Sequence, residues 1–125
     1  MSKFKCQGFG NTFKNARKGV RLALRAEDCI KIHFGAAFLA LLAAVLLEFS
    51  VVKICIVLLT IAMVIITEMV NSAIEFALDA VFKNKYSKMV GMAKDISAGA
   101  VLAATVTAIA IGVLLYGSAI LDLLT

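Results

Sequence analysis

An all-α protein that crosses a lipid bilayer three times is the fold this chain predicts, and three observations carry the prediction. Hydrophobic residues fill 62% of the 125 positions, the mean hydropathy is +1.00 and only 17% of residues are charged. A soluble single domain of this size could not cover its surface with so few polar groups. Proline and tryptophan are absent, and Val, Ile, Leu and Ala run on without the alternation that a transmembrane barrel strand needs. The charges, finally, fall in blocks that separate three long apolar stretches. The chain thus reads as a single integral membrane domain, 1–125, with helices expected over 9–26, 30–48, 51–81 and 95–121.

The first of these helices is amphipathic. With Phe13 at zero on a wheel of 100° per residue, Phe9, Ala16, Val20, Ala23 and Leu24 gather on one side. Lys14, Arg17, Lys18, Arg21 and Arg25 gather on the other. Such a helix is expected to lie in the membrane interface, apolar side down, with Arg17, Lys18 and Arg21 toward lipid phosphates. The apolar run that follows begins some thirty residues in, without a short-residue cleavage site after it, so a secretory leader is not expected.

Orientation follows from the basic residues. Lys3, Lys5, Lys14, Arg17, Lys18, Arg21, Arg25 and Lys31 precede the first span, Lys83, Lys85, Lys88 and Lys94 lie between the second and third, and Lys53 stands apart. Three crossings put the N-terminus and the Lys83 to Lys94 region on one face, which the positive-inside rule makes cytoplasmic, and Lys53 and the C-terminus on the other. The net charge of +5 then implies attraction to anionic headgroups or an anionic substrate. No nucleic-acid-binding module is recognisable. Cys6, Cys29 and Cys55 form no Cys-x-x-Cys pair and are expected to be reduced, packed thiols.

The second span carries the chemistry. After the apolar run to Thr67 the same helix continues through Glu68, Asn71, Glu75 and Asp79, which share an arc of about 80° on the wheel. This stripe extends about 16 Å along the axis, from inside the hydrocarbon region to the cytoplasmic surface. An isolated carboxylate at that depth is costly, so the stripe must face protein, water, a metal ion or a neighbouring subunit. Glu27 and Asp28 before the first span and Asp95 at the start of the third stand on the same membrane face. Carboxylate and amide oxygens favour a hard cation, magnesium before zinc. His33, the single histidine, is expected to be a hydrogen-bonded packing residue rather than a ligand. Magnesium beside lysines points to phosphate chemistry, yet there is no Gly-x-x-x-x-Gly-Lys-Ser/Thr loop, and Gly8-Phe9-Gly10 completes no dinucleotide fingerprint.

These residues carry a resemblance. Glu68-x-x-Asn71-Ser72-Ala73-Ile74-Glu75-x-x-x-Asp79, followed by Ala93-Lys94-Asp95, resembles the signature of the prokaryotic diacylglycerol kinase family, which includes the undecaprenol kinases. Lys18-Gly19-Val20-Arg21 and Glu27 extend the match backward over nearly the whole chain. The resemblance implies a homotrimeric bundle with an active site shared between neighbours. It also implies transfer of a phosphoryl group from ATP, with Mg2+, to a membrane lipid alcohol at the cytoplasmic face of a bacterial inner membrane. In that scheme Glu68 is the catalytic base, Glu27 and Glu75 bind magnesium, and Asn71 helps hold the phosphates. Lys94 neutralises phosphate charge with Asp95 beside it, and Asp79 supports them. Lys85, Tyr86 and Ser87 stand where the family has a loop touching nucleotide. Phosphoryl transfer asks for positioning and charge neutralisation, which this set can supply.

The pattern departs at Gly8 and Asn15, where some relatives have an arginine and an aromatic residue that contact nucleotide or lipid, so those contacts are not carried over. Lys31-Ile32-His33 resembles the Arg-Ile-His turn of the Gram-positive branch, which tilts the expected substrate toward undecaprenol over diacylglycerol. Small residues from Ala98 to Gly112 in the third span suit close helix contact, within the subunit or between subunits. The alternative function is a small transport or channel subunit with an acidic face. Against it, the outer half of each span is almost bare of polar groups, whereas a conduction path needs them throughout.

Overall fold

Two serines set where the long helices begin. Ser50 accepts a hydrogen bond from the Lys53 amide and Ser87 accepts one from the Val90 amide at 3.2 Å, so each supplies an acceptor to a free N–H of a first turn. The computed structural model describes residues 8–125 and contains four helices: α1 (Gly8–Ala26), α2 (Asp28–Leu46), α3 (Val51–Phe82) and α4 (Lys88–Leu124). Cys6 and the lysines at 3 and 5 lie outside the described residues. The helix bearing the third span opens at Lys88, ahead of the apolar run, because the Ser87 cap precedes it.

Length decides which helices cross a membrane. At 1.5 Å per residue the 19 residues of α2 reach about 28 Å, close to the hydrocarbon thickness of a bilayer. The 32 residues of α3 reach about 48 Å and the 37 of α4 about 55 Å, so both project beyond it. All three are apolar enough to span; α1 is not among them. With Val51 at one interface, roughly 20 residues of α3 cross the hydrocarbon. Glu68 then falls just inside the far boundary, and Glu75 and Asp79 emerge among the headgroups.

Helix α3 is the axle: α2 packs on one side of it and α4 on another, while α1 touches α2. The chain turns from α1 to α2 through one residue, Glu27, in an extended conformation. The buried interior is small and follows these contacts: Ile30 on α2, wholly enclosed, then Ala44, Val57, Val64, Val90 and Ala104, with Ser72 and Ser97. Of the small residues on α4, Ala104 packs inward while Ala98, Gly99, Ala100 and Ala103 face outward. Most other large apolar side chains are exposed, including Phe9 at 86% on α1. For the spanning helices that is the surface lipid or a neighbour covers. Cys29 and Cys55 are free but exposed rather than packed, because they sit on helix faces turned away from the neighbouring helices.

The far end of the bundle is closed by a short link. Phe49 N–H bonds Ala44 O at 3.0 Å and Glu48 N–H bonds Val45 O at 3.1 Å, with Glu48 left-handed at φ 55°. That is a Schellman ending, normally made with glycine. Phe49 then seats its ring 5.0 Å from that of Tyr116, whose hydroxyl donates to Ala40 O and so ties α4 to α2. Threonine hydroxyls inside the spans, Thr60, Thr67 and Thr105, bond carbonyls of their own helices, as a dry surrounding demands.

A non-glycine residue in the left-handed region costs about 1 kcal/mol. Glu48→Gly is therefore expected to stabilise the protein by up to about 1 kcal/mol. Thermal melts in detergent check it; a lower midpoint in the variant would show that the Glu48 side chain contributes more than its backbone costs.

Candidate active site

Three polar ties join α3 to its neighbours, all toward one end. Glu68 lies deepest. Its side chain is 13% exposed, and its Oε1 stands 3.1 Å from Nε2 of His33 on α2, itself 26% exposed. One turn on, Asn71 Oδ1 accepts a hydrogen bond from the hydroxyl of the buried Ser97 on α4 at 2.7 Å. Farther out, Lys94 on α4 donates to Asp79 at 2.8 Å, a half-exposed ion pair. The stripe read on the helical wheel thus divides: Glu68 turns to α2, while Asn71 and Asp79 turn to α4.

Around the outer tie lies a polar pocket of about 290 Å3. Asp79, Lys85, Tyr86, Lys94 and Asp95 line it together with Asn84 and Gly91. Gly91 leaves room there: a Cβ at that position would stand 3.1 Å from the Tyr86 ring, which would have to give by a few tenths of an ångström. The loop that shapes the pocket reverses through Lys83 and Asn84, both left-handed at φ 52° and 62°. Lys94 takes Asp79 as its ion-pair partner, while the exposed Asp95 lines the same space. Ser87 does not line it, because its hydroxyl is engaged in capping α4.

A second cavity, also of about 290 Å3, runs between α2, α3 and α4 inside the spanning region. Its walls are Ala36, Ala37, Ala40, Val57, Ile61, Val64, Ala108 and Gly112 with neighbouring aliphatic residues, and it ends at His33 on one side and Tyr116 on the other. Small side chains leave this groove open, and its lining is almost wholly apolar.

The carboxylates expected to bind magnesium are half-buried. Glu27 sits at the N-cap of α2, yet its side chain accepts no capping hydrogen bond, and among the described residues Glu75 enters no salt bridge. Two such hard oxygen donors suit Mg2+, which takes one or two carboxylates and completes its shell with phosphate and water. Among the described residues no three His, Cys, Asp or Glu side chains converge to make a full cage. Arg17, Lys18 and Arg21 lie exposed along α1, and Arg17 and Arg21 border an apolar hollow floored by Phe13, Ala16, Val20 and Leu24.

Two residues at the site were absent from the sequence-based set. Ser97 has no motif signal, and its position on the α3-facing side of α4 depends on how those helices pack. His33 had one available signal, being a lone imidazole at a depth close to that of Glu68. Ser97 supplies the donor to Asn71, so Ser97→Ala is expected to lower stability by about 0.6 kcal/mol, the average for such bonds between membrane helices. A melting midpoint equal to that of the parent would remove the bond from the energetics of the bundle.

A sequence profile of the prokaryotic diacylglycerol kinase family matches residues 14–116. The chain is 32% identical over 101 residues to a diacylglycerol kinase of Synechocystis sp., an alignment covering 81% of this chain and 58% of that protein. It is 32% identical over 108 residues to the undecaprenol kinase of Bacillus subtilis, covering 86% of this chain and 87% of that one. The chain spans little more than half of the first relative and most of the second. The matched region contains α2 and α3 whole, most of α1 and α4, and all three polar ties, and on that extent the chain belongs to the prokaryotic diacylglycerol kinase family.

Proposed function

We propose that the protein is a lipid kinase that transfers the γ-phosphoryl group of ATP, with Mg2+, to the hydroxyl of a membrane lipid alcohol. The observation that carries this reading is Glu68: a carboxylate enclosed between α2 and α3, paired with an imidazole rather than a lysine or arginine, near the end of an apolar groove. A lipid chain in that groove brings its hydroxyl to the carboxylate without leaving the membrane. The hydroxyl oxygen attacks the γ-phosphorus, the bond to the departing ADP breaks, and the proton passes to Glu68. Asn71 and Lys94 hold and neutralise the phosphates, with Asp95 and Asp79 beside Lys94 and with Lys85 and Tyr86 along the pocket rim. Mg2+, held by Glu27 and Glu75, supplies charge neutralisation to the phosphates. Ser87 contributes by fixing the start of α4.

Undecaprenol is the substrate we favour. The Lys31-Ile32-His33 turn supports it, as does the alignment with the Bacillus subtilis undecaprenol kinase along 87% of that protein. Diacylglycerol, named for the Synechocystis relative, is the second candidate. The distribution of basic residues supports placing the site on the cytoplasmic side of a bacterial membrane, with α1 lying in the interface. A homotrimer is part of the proposal. Its support is the outward-facing small residues of α4. The channel reading is disfavoured, since the polar ties collect at one end of the bundle and the groove beyond them is apolar.

Purified protein in mixed micelles is expected to consume ATP only when a lipid alcohol is present, with a higher kcat/KM for undecaprenol than for diacylglycerol. Glu68→Gln should lower kcat by roughly a hundredfold or more, as loss of a general base does, with ATP affinity little changed. A stable variant turning over like the parent would take Glu68 out of the mechanism. Glu27→Gln and Glu75→Gln should each raise the magnesium concentration needed for half-maximal rate, because an amide keeps the shape but loses the charge that holds a hard cation. Unchanged magnesium dependence in both rejects the metal assignment.

A further inference from the structure

We infer that His33 is a positioning residue for the lipid hydroxyl site: its Nε2–H holds one oxygen of Glu68 so that the other is presented to the alcohol. The inference rests on the reading of Glu68 as the base. Nε2 of His33 stands 3.1 Å from Oε1 of Glu68, a contact in which the imidazole donates when its proton sits on Nε2. In that tautomer Oε1 is held and Oε2 of Glu68 remains to accept from the alcohol. Both side chains are largely enclosed, which restrains the pair.

The groove adds a second, independent observation. His33 is one of its lining residues, and the other polar groups there are Thr60, Thr105 and Tyr116. Thr60 and Thr105 spend their hydroxyl protons on their own helices, and Tyr116 donates to Ala40 O. The imidazole therefore stands where an apolar channel meets a carboxylate, at the position a chain-bearing alcohol reaches first. A mere tie between α2 and α3 would not need to border the groove.

The test uses the full-length protein in lipid discs, with kcat, the two Michaelis constants and the melting midpoint measured on one preparation. His33→Ala should lower kcat by about tenfold or more, as misplacing a reacting group does, with KM for ATP unchanged. His33→Gln, whose amide can still donate to Glu68, should recover most of that loss. In a Glu68→Gln background His33→Ala should add no further loss, because the two act as one unit. The parent's single histidine, labelled with 15N, should show a proton on Nε2 at neutral to mildly alkaline pH.

Parental turnover in His33→Ala, an additive loss in the double variant, or a ring protonated on Nδ1 alone each overturns the inference while leaving Glu68 as the base. Parental turnover in Glu68→Gln removes the base and His33's role with it. Should His33→Ala fail to fold, a folded but inactive His33→Gln still overturns it.

Discussion

The constraint on which the rest of this structure depends is that a polar group in hydrocarbon must find its partner inside the protein. Four polar side chains of α3 at or near that depth do so: Thr60 and Thr67 on their own helix, Glu68 on His33, Asn71 on Ser97. No buried side-chain nitrogen or oxygen among the described residues is left without one. Because the partners of Glu68 and Asn71 lie on different helices, satisfying them fixes α2 and α4 against α3 at the site end. At the opposite end Phe49, Tyr116 and the backbone of Ala40 do the same work with one hydrogen bond and two rings. Between these fastenings the contact is between small and branched apolar residues, and the bundle keeps an open groove.

Much of this was legible in the sequence. Hydropathy and the lack of proline specified long helices, and amphipathic phasing marked α1 as different from the other three. The wheel position of Glu68, Asn71, Glu75 and Asp79 identified one side of α3 as polar. What it could not give was the partner of each group. A wheel reports direction within one helix, whereas Ser97 and His33 are reached only through the rotation of α4 and α2 about their own axes. The pairing of Lys94 with Asp79, rather than with its sequence neighbour Asp95, has the same origin. Adjacent residues on a helix point about 100° apart and cannot easily face each other. Cys29 and Cys55 depart from the expected packing for a related reason: in a thin bundle with lipid for a neighbour, a small apolar side chain has no need to be inside.

The two cavities lie at different levels of the bundle. One is walled by aliphatic carbon and lies at membrane depth; the other is lined by lysines, carboxylates and a tyrosine and lies beyond it. The polar side of α3 runs past both, and α3 is longer than α2 by 13 residues (32 against 19), so under the proposed function one helix serves a lipid at one level and water-borne phosphates at another. Under the proposed function, the reacting oxygen and phosphorus meet near the level of Glu68 and Asn71, where the two environments adjoin.

The brief link between α2 and α3 has a consequence for how the protein enters the bilayer. Residues 47–50 are too few to let the two helices insert one after the other at separate places, so they go in as a hairpin with the Phe49 turn leading. Glu48 and Lys53 are then the only charges of that hairpin driven across the apolar layer. His33, Glu68 and everything beyond them on α3 trail behind and stay on the side of departure. With the N-terminus on the cytoplasmic side, as proposed, the costliest groups of that hairpin are spared translocation.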